Sequence, residues 1–204
     1  MDAKDWDARY ARRAQRWSRG PTERVVREFG GLAPARALDI GCGEGRNAIW
    51  LASKGWQVRA VDFSALAIER GKERAAKLGL SIDWMVADAT TLSLPERFDL
   101  VMVVFLHTPA AERARWMECA RDAVRNGGTF FYLGHDASNL EHGHGGPRSS
   151  DVLCTPDDIV HALPGFRIET ATVVERSASA EPGHRSVSKD AVARDALVRA
   201  IRVK

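Results

Sequence analysis

The sequence predicts an α/β domain organised around a doubly wound, mostly parallel sheet. Three observations predict it. Short apolar runs recur along the chain and end in an acid, as in Val58-Arg59-Ala60-Val61-Asp62 and Ile82-Asp83-Trp84-Met85-Val86-Ala87-Asp88. Amphipathic segments of helical length lie between these runs, so strand and helix alternate from Arg36 onward. A glycine turn, Gly41-Cys42-Gly43-Glu44-Gly45, links the first strand, Ala37-Leu38-Asp39-Ile40, to the helix that begins at Asn47, the order in which such domains open a nucleotide site. At 204 residues one domain with a full central sheet is expected.

Taken in order, about Ala3 to Trp17 reads as a helix, because Trp6, Tyr10, Arg13 and Trp17 fall on one stripe while Arg9, Arg12 and Arg16 lie on other faces. Gly20-Pro21 interrupts it, Pro21 opens a second helix to about Phe29, and Gly30-Gly31 and Pro34 lead into the first strand. The glycine turn is followed by a helix over 47–54. After Asp62, Ser64 caps a helix that runs to Leu78 and stops at Gly79. A polar loop after Asp88 ends at Leu94-Pro95, and Phe98 to Val104 is a fourth strand. A helix from about Ala110 to Val124 stops at Asn126-Gly127-Gly128. The fifth strand then runs into Gly134-His135-Asp136 and a long loop rich in Gly, His and Ser. Thr155-Pro156-Asp157-Asp158 supplies a cap, a proline at the first helical position and acids in the first turn. Phe166 to Glu175 is a sixth strand, Glu181-Pro182-Gly183-His184 marks a turn, and Ala196 to Val203 fits either a strand or a helix.

The glycine spacing narrows the ligand. A dinucleotide fingerprint is G-x-G-x-x-G/A, but here the third glycine comes one place early and Arg46 stands where a third Gly or Ala is usual. Asp39, two residues before the first glycine, would repel a pyrophosphate and attract an ammonium group. Asp62 lies 21 residues after Gly41, where an acid at the end of the second strand accepts hydrogen bonds from ribose hydroxyls. Asp88, closing the third run, is placed to meet an adenine amine. A ligand with an amino-acid end, a ribose and an adenine but no phosphate is S-adenosylmethionine.

At these residues the chain resembles the class I S-adenosylmethionine-dependent methyltransferases. Asp39–Gly45 is similar to the family's first motif, Asp62 to its second and Asp88-Ala89 to its third, with Phe98–Val104 and Asn126–Leu133 similar to its fourth and fifth strands. The Trp-Asp-x-x-Tyr start at Trp6 and the Gly-Cys-Gly-Glu-Gly-Arg-Asn wording resemble the small-molecule branch typified by tellurite-resistance and thiopurine-type enzymes. The resemblance implies a Rossmann-like sheet of seven strands with helices on both faces and the last strand antiparallel, which favours strand for the C-terminal run. It implies one methyltransferase domain over 1–204, with N-terminal helices in 1–30 covering the site and an active-site loop at 135–155. It also implies methyl transfer to a small-molecule acceptor by in-line displacement.

Candidate donor-binding residues are Asp39, Gly41, Cys42, Gly43, Arg46, Asn47, Asp62, Phe63, Asp88, Ala89 and Val104. His107 and His135 follow strands that end at the crevice, and they are candidates for a general base where the acceptor carries a proton. With Tyr10 and Trp17 they are also candidates for contacting the acceptor. The plainer readings are hydrogen-bonded structural histidines and aromatics that dock a helix on the core. His135, His142 and His144 lie near Asp136 and Glu141, but no helical His-x-x-x-His and no Cys pair supports a metal site, and none is expected.

Other totals exclude classes. The formal charge is +3, and all of the excess lies in residues 1–30 with eight basic and five acidic residues, a weak case for nucleic acid. Neither the Asn/Asp-Pro-Pro-Tyr motif of nucleic-acid amino methyltransferases nor a Pro-Cys nucleophile is present. There is no apolar run long enough to span a bilayer and no basic-apolar-small leader, so neither membrane nor export is expected. Cys42, Cys119 and Cys154 are odd in number and widely spaced, which fits a reducing cytoplasm. The rivals are a non-catalytic protein that binds the same donor, and an NAD-type oxidoreductase, against which Asp39 and the early third glycine argue. Oligomeric state is not written in the sequence.

Overall fold

The structure, a computed structural model, describes residues 3–12, 20–177 and 191–203. Seven strands form one sheet: β1 (Arg36–Ile40), β2 (Gln57–Asp62), β3 (Asp83–Val86), β4 (Phe98–Val104), β5 (Val124–His135), β6 (Phe166–Ser177) and β7 (Val192–Arg202). Their order is β3-β2-β1-β4-β5-β7-β6. β1 pairs in parallel with β2 and β4, β2 with β3, and β4 with β5, whereas β7 is antiparallel to both β5 and β6. The sheet is thus the predicted mostly parallel one with its last strand reversed. The chain builds outward from β1 through β2 to β3, then crosses to β4 on the other side. This switch point between β1 and β4 is where open α/β sheets leave a crevice beyond the strand ends.

Seven helices accompany the sheet among the described residues: α1 (Ala3–Ala11), α2 (Glu23–Phe29), α3 (Arg46–Ser53), α4 (Ala65–Lys77), α5 (Ala110–Ala123), α6 (Asn139–His142) and α7 (Pro156–His161). The pleat divides each central strand between two cores. Leu38, Ile40, Val101 and Val103 face a core completed by Trp116, Met117 and Ala120 of α5 and Ile159 of α7. Ala37, Leu100, Met102 and Phe131 face the opposite core, completed by Val25 and Phe29 of α2 and Ala48 and Leu51 of α3. Local chemistry agrees at the ends. Ser64 caps α4 by accepting from the Ala67 N–H, and Thr155 and Asp158 form a reciprocal capping box at α7.

Several boundaries differ from the sequence reading. The Gly127-Gly128 pair does not stop a helix ahead of the fifth strand. α5 ends at Ala123, β5 begins at once, and residues 125–128 bulge opposite Asp99 between the Phe98–Val124 and Leu100–Thr129 pairs. Arg125 reaches back to Asp99, whose other oxygen accepts the Arg36 N–H, so one carboxylate ties the bulge to the start of β1. β3 is shorter than the apolar run and stops at Val86, leaving Asp88 in the following turn. α2 begins at Glu23, with Pro21 ahead of it and Thr22 at the cap position. β7 starts at Val192, earlier than expected, because pairing with β6 and β5 overrides the weak preference of its alanines. Of the first predicted helix only Ala3–Ala11 is described as helix; Trp17 and the turn at 181–184 lie outside the described residues. The stretch 135–155 holds α6 and a 3₁₀ turn at Ser150–Val152. It is knitted to β7, since Asn139 accepts the Arg194 N–H and the His144 N–H reaches Val192 O.

Trp116 is fully buried, stacks on Tyr132 and donates its indole N–H to Thr108 Oγ1 at 2.8 Å. Trp116→Ala is expected to destabilise the fold by about 3–5 kcal/mol, read as a lower urea midpoint with an unchanged slope.

Candidate functional site

The glycine turn is pinned at the ends of β1 and β2. The N–H groups of Gly41 and Cys42 both donate to Val61 O, at 2.8 and 3.0 Å, which folds the chain sharply back over the sheet edge. Gly41, Gly43 and Gly45 all have left-handed backbone, with φ of 70°, 56° and 73°. Two of them also have no room for a side chain. A Cβ on Gly43 would lie 2.8 Å from the Tyr10 hydroxyl, and one on Gly45 only 2.2 Å from the Trp84 ring. The early third glycine therefore answers to Trp84 of β3, which packs between it and Gly71 of α4.

Two carboxylates converge on this turn. Asp62 accepts the Gly43 N–H at 2.8 Å and the Ser64 N–H at 2.9 Å, one on each oxygen. Burial still pushes its pKa up against those donors. Asp39, 2 % exposed, is pushed up to about 8, first by burial and then by the Asp62 charge, while the Arg46 charge and the Ala48 N–H in the first turn of α3 pull it down. Its Oδ2 is buried with no hydrogen-bond partner. Half-buried Cys42 is pushed well up by burial, Asp39 and Asp62, so it stays a thiol. An acid with a spare buried oxygen beside a turn of left-handed glycines fits the ammonium end of S-adenosylmethionine and opposes a phosphate.

α1 lies against the same turn. Asp7 accepts from Ser64 Oγ and, at 3.4 Å, from the Leu66 N–H, while Arg70 of α4 donates to Tyr10 O at 2.9 Å and pairs with buried Glu44 at 3.3 Å.

A second cluster forms where β4, β5 and β7 end. Phe105, directly after β4, is the one described non-glycine residue with positive φ, at 58°, and its N–H donates to Leu133 O at 2.7 Å. The guanidinium carbons of Arg46 and Arg176 lie 5.7 and 5.2 Å from its ring centre. The rings of His107 and His135 stack at 5.2 Å and 15°. His107 Nε2 accepts the His135 backbone N–H at 3.0 Å, so its proton sits on Nδ1. Burial, then the neighbouring His135, push its pKa down to about 3 and keep it neutral. His135 Nδ1 lies 3.0 Å from Asp195 Oδ1, and Arg176 Nε donates to Asp195 Oδ2 at 2.8 Å.

The structure thus brings Asp39, Gly41, Cys42, Gly43, Arg46, Asp62 and Tyr10 together at one turn, and His107 and His135 at a neighbouring cluster reached through Arg46 and Phe105. Half-buried Phe63 follows Asp62, and Val104 closes β4. Other predicted residues are engaged elsewhere. Asn47 is buried and accepts the Thr22 N–H at 2.9 Å, holding the start of α2. Exposed Asp88 closes its own turn by accepting from the Thr90 N–H and hydroxyl, both at 2.8 Å, and Ala89 packs on the core. His142 and His144 are exposed, and no group of three metal-ligating side chains occurs among the described residues. Sequence reasoning missed Asp195 and Arg176. The available signal was an acid, Asp195, placed just ahead of the apolar Ala196-Leu197-Val198.

Comparison with known proteins places part of the chain in a domain family and matches its fold. Residues 37–128 match a family described as a methyltransferase domain. A ubiquinone biosynthesis O-methyltransferase of Brucella anthropi is 36% identical over 106 residues, 52% of this chain and 42% of that protein. A protein named Hemagglutinin 1 from Eikenella corrodens is 37% identical over 81 residues, 39% of this chain and 27% of its own length. The chain therefore spans less than half the length of these relatives. The N-methyltransferase NodS from Bradyrhizobium japonicum, solved with S-adenosyl-L-homocysteine, superposes with a TM-score of 0.74 at 17% identity over 100% of both chains, a likeness of fold. Among the described residues no helix is long and apolar enough to cross a membrane.

The raised Asp39 pKa has a stability consequence. An unfolded aspartate ionises near its model value of 3.8 and the folded one near 8, so the folded state binds the extra proton in between and loses stability as pH rises across that window. Asp39→Asn is therefore expected to melt higher than the wild type at pH 8 without ligand, with the gap closing below pH 4. Thermal scans across pH check it, and a constant gap would remove Asp39 as its source.

Proposed function

From a methyltransferase domain at residues 37–128, we propose that the chain transfers a methyl group from S-adenosylmethionine to a small-molecule acceptor by in-line displacement. The observation that carries this reading is the buried, unpartnered oxygen of Asp39 beside the left-handed glycine turn. When bound, the donor supplies a methyl group already activated by its sulfonium. The protein then has to hold the donor, aim the acceptor and keep water out.

Asp39 and the Gly41–Gly45 backbone take the methionine end, with Arg46 at the α3 N-terminus beside them. Asp62 keeps lone pairs for the ribose while its backbone donors fix its orientation. Phe63 and the Asp88-Ala89 turn border the adenine. Cys42 lines the turn as a small neutral residue. Asn47 supports the pocket from behind by fixing α2. α1 covers the donor, with Tyr10 over Gly43. Val104, Phe105, His107 and His135 face the acceptor, and residues 135–155 form its outer wall. This division uses each of the two clusters for one reactant.

A small acceptor is supported by the charge pattern, in which residues 31–204 carry as many acids as bases and offer no net basic surface for a polynucleotide. The three free cysteines support a reducing, cytoplasmic setting. An NAD-type reading is disfavoured by Asp39, whose charge would face a pyrophosphate.

Calorimetry tests the reading. S-adenosylmethionine and S-adenosylhomocysteine are expected to bind in the micromolar range, NAD not at all, and Asp62→Ala to weaken the adenosyl ligands at least about tenfold, the cost of a charge-assisted hydrogen bond. A folded protein that binds neither adenosyl ligand would sink the proposal.

A further inference from the structure

A buried ion pair, Arg176 with Asp195, is built behind His135. His135 ends β5, and Asp195 stands directly opposite it in the antiparallel register with β7. Asp195 is 1 % exposed. Burial works to raise its pKa, but the hydrogen bonds from His135 and Arg176 outweigh it and hold the group below its usual range, as a carboxylate. Arg176 of β6 addresses both oxygens, Nε to Oδ2 at 2.8 Å and Nη2 to Oδ1 at 3.4 Å. Among the described residues, buried His135 Nδ1 has no aligned hydrogen-bond partner, and the Asp195 oxygen 3.0 Å away is the acceptor within its reach. A charged pair buried this deeply is a poor way to gain stability. It is a good way to fix which imidazole nitrogen carries the proton.

We propose that Asp195 and Arg176 are positioning residues that lock His135 as its Nδ1–H tautomer, leaving Nε2 as the base for an acceptor that carries a proton, such as a phenol, an enol or a thiol. The inference rests on the methyltransferase reading and names its acceptor class. In the step, the acceptor's X–H bond breaks and its proton goes to Nε2. The X lone pair forms the bond to the methyl carbon as the carbon–sulfur bond breaks, and that electron pair leaves with the sulfur. His135 then returns the proton to water. The groups around the imidazole suit this task. Neutral His107 stacks on one side, Phe105 lies 5.2 Å away, and Gly146 crosses the outer edge, where a Cβ would fall 2.7 Å from Nε2. Only a residue without a Cβ fits against that edge of the ring.

The tautomer is measurable without substrate. Long-range ¹H–¹⁵N correlation spectra of the full chain, with His135 assigned by its loss in His135→Gln, are expected to show a protonated Nδ1 and a bare Nε2, the minor form of free imidazole. In Asp195→Asn, Arg176 claims the single remaining oxygen, the amide NH₂ turns to His135 and the proton moves to Nε2. Turnover of phenols should then fall about a hundredfold, the usual worth of a base, with donor affinity by calorimetry unchanged. An Nε2–H tautomer in the wild-type protein overturns the proposal, and so does an Nδ1–H form that persists in Asp195→Asn. Failure of the wild type to bind the donor is a separate result, which removes the methyltransferase reading itself.

Discussion

Two acids held in nearly dry surroundings at the end of β1 and β2 govern the architecture of this site. Isolated buried carboxylates are expensive, and the chain meets part of the cost with backbone N–H groups and, at Asp39, with the Arg46 charge. Gly43 and Ser64 direct N–H groups at Asp62, and Ala48 directs one at Asp39. The turn that carries these donors is built on three left-handed glycines, two of them with Tyr10 and Trp84 packed where a Cβ would stand. Even so the compensation is incomplete. Asp39 keeps an oxygen without a partner and a raised pKa, a residual frustration that the proposed cationic ligand would relieve.

The reversed β7 is the second determinant. In an all-parallel sheet every strand presents its carboxyl end to the crevice, so only residues late in a strand can serve the site. β7 runs the other way and presents its beginning. Asp195, the fourth residue of β7, consequently sits opposite His135, the last residue of β5. The next strand out, β6, runs parallel to β5 and brings Arg176 to the same end. Three residues far apart in sequence thus meet because one strand is antiparallel and inserted between two others.

This also explains what was legible in the sequence. The strand–turn–helix unit around Asp39–Arg46 and the acid at Asp62 could be read directly, because their chemistry is local: a period, a spacing, a glycine. The early third glycine was read as a departure from a dinucleotide fingerprint, and it is, but its steric reason is Trp84, a contact across the sheet that no local pattern carries. The same limit applies to Asn47. Its position in the motif suggested a ligand contact, whereas its amide holds the Thr22 backbone 25 residues earlier. Gly127-Gly128 looked like a helix stop, and the pairing of β5 with β4 made it a bulge. Asp195 was visible as an acid just ahead of an apolar run, but its meaning depended on the position of β7 within the sheet.

Arg46 and Phe105 join the two halves. Arg46 stands at the start of α3, its charge lowering the pKa of Asp39, while its guanidinium also lies over the Phe105 ring. Phe105 holds a left-handed backbone that costs a bulky residue about 1–3 kcal/mol, and it is fixed there by the Leu133 carbonyl and by a guanidinium near the ring from each cluster. A relaxed Phe105 would carry its ring out of the space between Arg46 and Arg176 and loosen the segment that leads to His107. The strain therefore has a geometric consequence: it holds the acid turn and the histidine pair at a fixed separation. For the proposed displacement, in which a nucleophile must sit directly behind a methyl group, a fixed separation of that kind is what alignment requires.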